Sequence, residues 1–330
     1  MRDGVLVAEH YLNGTHPDDI VTSFSVAKSF TSVLVGAAIE QGAIGSIDDA
    51  ITDYLPELAS RDPRMSDISV GDLLTTASGM AYRASRPLLL NGDDPLTTYY
   101  PDQRALARSH PRYREPPARH FSYNKLHAQL LGLILERATE TSVTAYMQAA
   151  LWDPLSMQYA GSWSTDSRRS DFEKMQTGVN ARAVAFAKLG QLCLDGGRVG
   201  KTQVVPESRV RASTEPYSPA AADHYGPDMA LLPGRAHYGP MWWGFARDDG
   251  SFDFAAEGDK GQFIYVSPSR RPVIVRHGTA YGLPSSTWFR LFYDFAGSNQ
   301  RPSVRRITRV GGPSARLTPP RPPRRLRAPS

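Results

Sequence analysis

Ser25 and Lys28 stand in the segment Ser23-Phe24-Ser25-Val26-Ala27-Lys28-Ser29-Phe30, at the mouth of an apolar run from Phe30 to Ile39. That run reads as a buried helix. Residues three apart on a helix share a face, so the hydroxyl and the amine are neighbours. A lysine amine that is desolvated, or placed near another positive charge, loses basicity and can take the proton of a serine. The chemistry implied is nucleophilic attack by Ser25 with Lys28 as base. Serine and lysine at this spacing occur by chance in many chains, so the rest of the sequence has to decide.

The elements that must hold this pair follow in order. Val5-Leu6-Val7-Ala8 with His10-Tyr11 reads as a strand after a turn at Asp3-Gly4. The turn implies a preceding strand, so an edge strand is expected to be missing from residues 1–44. The helix after Ser25 stops at Gln41-Gly42, with glycine in the left-handed position. Ile68 to Leu74 reads as a helix running into a turn at Ser78-Gly79. Residues 83–118, rich in Pro, Arg and Asp, read as one long connection. Helices are expected from Leu126 to Ala138, Val143 to Leu151 and Asn180 to Leu194, with a short one after Pro206. Beyond His237 four strand-like runs follow one another directly: Met241–Ala246, Phe252–Ala256, Gln262–Val266 and Pro272–Arg276. A helix from Ser285 to Phe295 closes the series. The expected fold class is α+β, an antiparallel sheet flanked by helices with an inserted, mostly helical domain. Residues 1–44 and 235–298 would form the sheet-and-helix domain and residues 45–234 the helical one. A cleft would lie between them.

Composition narrows the class further. The 330 residues carry a formal charge of +5, but nine arginines and no acid lie from Arg301 onward. Without those nine the remainder stands at −4, so the basic balance belongs to the tail and not to a nucleic-acid-binding face. The Pro/Arg-rich stretch 299–330 is expected to be disordered. No apolar run reaches the ~20 residues that span a bilayer, and Met1-Arg2-Asp3-Gly4 opens no signal peptide. The chain as written is expected in the cytoplasm. One cysteine, Cys193, excludes an internal disulfide framework and reads as a buried, inert thiol. The eight histidines form no ligand spacing, so neither a metal nor another cofactor is expected. There is no Gly-x-Ser-x-Gly nucleophile elbow.

Several segments, in order over residues 1–298, resemble the serine β-lactamase and penicillin-recognising superfamily. The likeness is greatest to its class C β-lactamase-related, esterase-like and 6-aminohexanoate-dimer hydrolase members. Ser25-Val26-Ala27-Lys28 resembles the Ser-x-x-Lys nucleophile motif. Asp72-Leu73-Leu74 through Ser78-Gly79-Met80 resembles the segment downstream of it. Tyr123, with Gln129-Leu130-Leu131-Gly132, resembles the Tyr-x-Asn motif and its helix. Pro154-Leu155-Ser156-Met157 resembles a Pro-Leu-Gly-Met turn, and Tyr238-Gly239 with Trp242-Trp243-Gly244 a strand leading to the site. Glu257-Gly258 with Gly261-Gln262 stands where a Lys-Thr-Gly strand is usual. The resemblance implies a β-lactamase/transpeptidase-like fold and an acyl-enzyme on Ser25. Lys28 would be the base, alone or with Tyr123 relaying the proton. The oxyanion would be held by the N–H of Ser25 and an N–H near Asp259, beside Gly258.

The departures shape the expected activity. Lys125 stands two places after the tyrosine, where it either depresses the basicity of Lys28 or points to solvent. Ala256-Glu257-Gly258 replaces Lys-Thr-Gly, so the cation that reads a β-lactam carboxylate is absent or is supplied by Lys260 or Arg276. Trp242 and Trp243 face opposite sides of a strand, one into the cleft and one inside, and Trp242 is carried forward as the substrate-binding candidate. A small ester or amide is the expected substrate, with no nucleic-acid or membrane partner. The alternatives are a β-lactamase or D-amino-acid peptidase, and a non-catalytic or decayed copy of the fold.

Overall fold

The computed structural model describes residues 1–83, 93–215 and 236–298. The expected disorder of 299–330 therefore lies outside the described residues, as does most of the 214–236 connection.

A short strand β1 (Val21–Thr22) leads through a 3-10 turn at Phe24–Val26 into helix α1 (Ala27–Glu40). Every residue of α1 from Ala27 to Ala38 is buried, so the helix is enclosed on all sides and forms the centre of the molecule. It ends at Gly42, whose φ of +74° suits a residue without a Cβ. Short helices α2 (Ile51–Tyr54), α3 (Pro56–Arg61) and α4 (Val70–Leu74) follow. The stretch expected to be one connection carries two helices, α5 (Asp94–Tyr99) and α6 (Gln103–Ser109). Each is a single amphipathic turn or two, too short to show a period in the sequence. Next come α7 (Lys125–Thr139), α8 (Val143–Met147), β2 (Ser162–Trp163), β3 (Val179–Ala181), α9 (Ala183–Leu194), β4 (Arg198–Val199), β5 (Thr202–Gln203) and α10 (Glu207–Thr214). The start of the expected Asn180–Leu194 helix is thus strand, because Val179–Ala181 pairs with both β1 and β2.

The main sheet is built from β6 (Ala236–Gly239), β7 (Trp242–Ala246), β8 (Phe252–Gly258), β9 (Gln262–Val266) and β10 (Val273–Arg276), all antiparallel, in the order β10-β9-β8-β7-β6. Helix α11 (Ser285–Gly297) covers one face, where Phe245, Ala255, Phe263 and Tyr265 meet Phe289 and Phe292. The other face, with Phe254, Ala256, Ile264 and Val266, joins the large core shared with α1, α7 and α9. Strand alternation sorts β8 cleanly: Asp253 and Ala255 face α11, while Phe254 and Ala256 face α1. The α11 side also holds a buried ion pair, in which Arg247 and Tyr265 both donate to the Asp253 carboxylate.

One expectation fails. Val5–Ala8 forms no strand, and Val5 and Leu12 are exposed. Only Met1 and Arg2 reach the β10 edge, where Arg2 bridges Pro272 and Met1 exchanges backbone bonds with Val273. The alternation at 5–8 is a local signal, but a strand needs a ladder partner, and among the described residues the bridge at Val5 is to Arg2, within its own turn. The first strand that does form, β1, belongs to a separate three-stranded sheet with β3 and β2.

Candidate active site

Ser25 sits on the 3-10 turn that opens α1. Phe24 before it has a φ of +45°, unusual for a residue with a side chain, which turns the chain sharply so that Ser25 precedes the helix. The turn is fastened on both sides. The Ser23 N–H donates to the Val179 carbonyl at 2.8 Å and the Ser23 hydroxyl to the Thr177 carbonyl at 3.1 Å. From α1, Ser29 and Ser32 donate to the carbonyls of Met241 and Pro240, at 2.7 and 2.8 Å, which docks the β6–β7 turn on the helix.

Lys28 is 1% exposed, and its Nζ donates to Ser25 Oγ at 3.0 Å and to the Gln176 carbonyl at 3.2 Å. Burial and then the positive charge of Lys125 lower its pKa, against the opposing charge of Asp94, to about 7. The amine is therefore close to half neutral at neutral pH, and its nearest side-chain oxygen is the serine. Behind it, Gln176 and Gln129 both donate to the Thr97 carbonyl, at 2.8 and 2.6 Å, so the carbonyl that receives Lys28 is held by a buried amide network.

Tyr123 completes the group. Its hydroxyl is hydrogen-bonded to Ser25, and Lys28 Nζ lies 4.9 Å from its ring centroid. Burial raises its pKa well above the usual phenol range, the Ser25 bond offsets part of this, and the Glu257 charge adds to it. Asn124 fixes the tyrosine's place by capping α7, its side chain accepting from the Leu126 N–H at 2.8 Å. The Ser78-Gly79 segment serves the same end. Ser78 bonds His127 of α7 at 2.7 Å, and the Gly79 carbonyl accepts from Arg114 and Glu115. A Cβ on Gly79 would stand 2.0 Å from the Glu115 carbonyl oxygen, so only glycine permits this approach. Ser122 N–H then donates to the Thr76 carbonyl at 2.8 Å, one residue before Tyr123.

Gly258 closes the site from the sheet. A Cβ there would lie 2.4 Å from the Ser23 carbonyl oxygen and 3.1 Å from the Ser25 nitrogen. The β7–β8 ladder ends at Trp243 opposite Ala255, while β9 continues along β8 to Gly258. The last three residues of β8 thus offer an open edge beside the nucleophile turn. Asp259 follows in the hairpin turn, exposed, its carboxylate accepting from the Lys260 N–H at 2.8 Å.

Ser25, Lys28, Tyr123, Gly258 and Asp259 are thus brought together. Lys125 is half-buried, 3.2 Å from Asp94 and 3.3 Å from Thr98 Oγ1, and its charge is felt by Lys28. Trp242 is not brought in. It is 1% exposed, packs edge-on against Phe254 at 5.4 Å, and lines a small cavity with Ser32, Val33 and Val210 behind α1. Trp243 lies on the opposite face of β7, 5.1 Å from the Tyr238 ring and packed against Phe289 of α11, because the Trp242 face of β7 is the one that meets the large core. Arg276 is committed elsewhere: it bonds the carbonyls of Gly261, Ala280 and Tyr281 and stacks 4.1 Å from Trp288. Lys260 is exposed at the turn, 5.6 Å from the Phe24 ring. Sequence reasoning missed Asp94 and the Gln176 carbonyl, which carry no local signal, since each acts only through tertiary packing. Cys193 is buried, its thiol pushed up to about 12.

The sequence profile of the Beta-lactamase family matches residues 1–283. The chain belongs to the Beta-lactamase family. A 6-aminohexanoate-dimer hydrolase of Paenarthrobacter ureafaciens is 26% identical over 289 residues, covering 84% of this chain and 70% of that protein. Among solved structures, a Bacillus anthracis protein assigned as a 6-aminohexanoate-dimer hydrolase superposes with a TM-score of 0.72 at 21% identity, covering 90% of this chain and 77% of that one. EstCE1, a hydrolase with promiscuous acyltransferase activity, superposes with a TM-score of 0.68 at 14% identity, covering 86% of each chain. The fold is that of the β-lactamase family, mixed helix and antiparallel sheet, and the family and these relatives are hydrolases. Among the described residues, no helix is long and apolar enough to cross a membrane and no group of three or more His, Cys, Asp or Glu side chains could hold a metal ion.

Proposed function

We propose that this protein is a serine hydrolase that cleaves a small ester or amide through an acyl-enzyme on Ser25. The observation that carries the reading is the buried Lys28 amine, with a pKa near 7, placed 3.0 Å from the Ser25 hydroxyl that Tyr123 also bonds. Neutral Lys28 accepts the Ser25 proton as Oγ attacks the substrate carbonyl carbon. The oxyanion that forms faces the Ser25 N–H and the main chain at Gly258–Asp259, and one such donor is typically worth about 10²–10³ in rate. Collapse of the tetrahedral adduct breaks the bond to the leaving group, which takes the proton back through Tyr123. Water then attacks the acyl-enzyme by the same route and frees the acid.

A small ester or amide is favoured over a β-lactam because Ala256 stands where the lysine of a carboxylate-reading Lys-Thr-Gly strand would be, and Arg276 is spent on the carbonyls around it. The test is covalent. Incubation with a fluorophosphonate should add one probe mass, mapped to Ser25 by peptide digestion, and Ser25→Ala should lose both the adduct and p-nitrophenyl butyrate hydrolysis. A folded wild-type protein that forms no adduct and hydrolyses no ester would overturn the reading. Turnover of nitrocefin without turnover of the ester would move the substrate to β-lactams.

A further inference from the structure

Arg276 is the last residue of β10, opposite Phe263 of β9, and its guanidinium reaches the turn that joins β8 to β9. Nη1 donates to the carbonyl of Gly261, which closes that turn. Nη2 donates to the carbonyls of Ala280 and Tyr281, at 3.2 and 3.0 Å. The guanidinium carbon lies 4.1 Å from the centroid of the Trp288 ring on α11, and Trp288 Nε1 donates to the same Tyr281 carbonyl at 2.7 Å. Among the described residues no carboxylate pairs with this cation, and burial lowers its pKa with no charge to offset it. A guanidinium partly withdrawn from water without a counter-ion costs free energy, and what offsets the cost here is a fork of carbonyls and a ring face.

Two glycines leave room for that fork. A Cβ on Gly261 would stand 2.0 Å from Arg276 Nη1, and one on Gly278 would stand 2.8 Å from it and 3.1 Å from the Lys260 carbonyl oxygen. The 277–281 segment is tied to the hairpin a second time: Gln262 donates to the Gly278 carbonyl at 2.6 Å, and its side-chain oxygen bonds His277 Nδ1 at 2.7 Å. On its other side the turn meets the nucleophile. The Gly258 backbone lies against Ser23 and Ser25, and Lys260 Nζ is 5.6 Å from the Phe24 ring centroid. Residues 258–261 are therefore held between the Ser25 turn and Arg276. Lys260 has a φ of +59°, a conformation that a residue with a side chain does not favour, so the turn depends on the contacts that enclose it.

Resting on the hydrolase reading above, we propose that Arg276 is a positioning residue: it clamps the β8–β9 turn to the 277–281 segment and to α11, and so fixes the main chain at Gly258–Asp259 where the oxyanion forms. It acts through the turn, from the side away from Ser25.

Two readouts test this. Hydrogen exchange of segment 258–262 should quicken about tenfold or more in Arg276→Ala, because the turn loses the bond to its closing carbonyl. In the same variant kcat and kcat/KM for p-nitrophenyl butyrate should fall together by about tenfold or more, with KM within about threefold of the wild type, as when a transition-state contact is displaced. The acid limb of the pH profile should stay in place, since Arg276 is not among the charges that act on Lys28, which are those of Lys125 and Asp94. Arg276→Lys keeps the charge but not the fork, and takes the place of Arg276→Ala under the same criteria if that variant does not fold. A folded variant whose turnover stays within about threefold of the wild type overturns the clamp. So does a loss of turnover with the exchange of 258–262 unchanged, or with the acid limb displaced. If the wild type cleaves no ester and Ser25 takes no fluorophosphonate, the hydrolase reading fails, and the exchange readout alone decides whether Arg276 holds the turn.

Discussion

A lysine that serves as a base must be neutral where it works, and for Lys28 that condition is met by position. With a folded-state pKa of about 7, the amine is mostly neutral above that pH and mostly charged below it. The kcat/KM of an ester substrate is therefore expected to rise with pH through about 7 and level off above it. Lys125 and Asp94 push this limb in opposite directions. Lys125→Met removes a charge that lowers the Lys28 pKa and leaves Asp94, which raises it, so the limb should move to higher pH. Asp94→Asn should move it to lower pH. A displacement on the order of half a pH unit changes the rate about threefold on the acid side. Limbs that move together, or not at all, in the two variants would remove Lys28 as the titrating base. The spacing of Ser25 and Lys28 is local and could be read from the sequence. The direction of Lys125 could not, because it is set by Asp94 and Thr98 from a helix that shows no period of its own.

At the scale of elements, two glycines separate site geometry from stability. Gly258 lets the end of β8 lie against the nucleophile turn, backbone on backbone. In Gly258→Ala the new methyl would meet the Ser23 carbonyl at 2.4 Å, and neither strand nor turn has a side chain that can yield. Ser25 acylation should fall by about 10²-fold, the usual cost of a displacement near 1 Å, with a modest change in Tm. Gly190 lies where α9 packs on the sheet, and a Cβ there would stand 2.6 Å from Val273 Cγ1 and 2.9 Å from Ile264 Cγ2. Gly190→Ala should lower stability by about 1–3 kcal/mol, read by urea unfolding, while the folded fraction keeps kcat/KM within a few-fold. Equal loss of activity in both variants would deny β8 its special contact with the site. The longer helices and four of the main-sheet strands were legible because each carries its own periodicity. The Val5–Ala8 strand was misread for the converse reason, since alternation says which residues could pair but not whether a partner edge is there.

For the whole molecule, three histidines are held neutral inside. His127, His237 and His277 have pKa values lowered to about 3, 4 and 3, chiefly by burial. Unfolded, each takes up a proton near pH 6.5, whereas folded it does so only near 3 or 4. Between about 4 and 6.5 the unfolded chain thus binds more protons, and stability falls as the pH falls. The loss should be on the order of 2 kcal/mol per histidine between pH 7 and pH 5, visible as a lower urea midpoint. His127→Gln should flatten that dependence by about one proton. A midpoint that stays constant from pH 7 to pH 5 would contradict the neutral, buried state of these groups. The acid limit on stability and the acid limb of catalysis then have separate origins, one in the core and one at Lys28.

The sequence by itself determined the candidate nucleophile and base, Ser25 and Lys28, the tyrosine and the glycine strand in their order, and the mixed helical and antiparallel fold. These are encoded by spacing along the chain and by apolar period, which do not depend on what packs against what. Only the tertiary structure decided that Trp242 packs into the large core and Trp243 on the α11 side, because that turns on which face of β7 meets the core. It alone decided that Arg276 is occupied and that, among the described residues, no cation pairs with Glu257, because charge pairing is made by residues far apart in the chain. The Ser25–Lys28 spacing is written locally; the charges that surround it are paired by the fold.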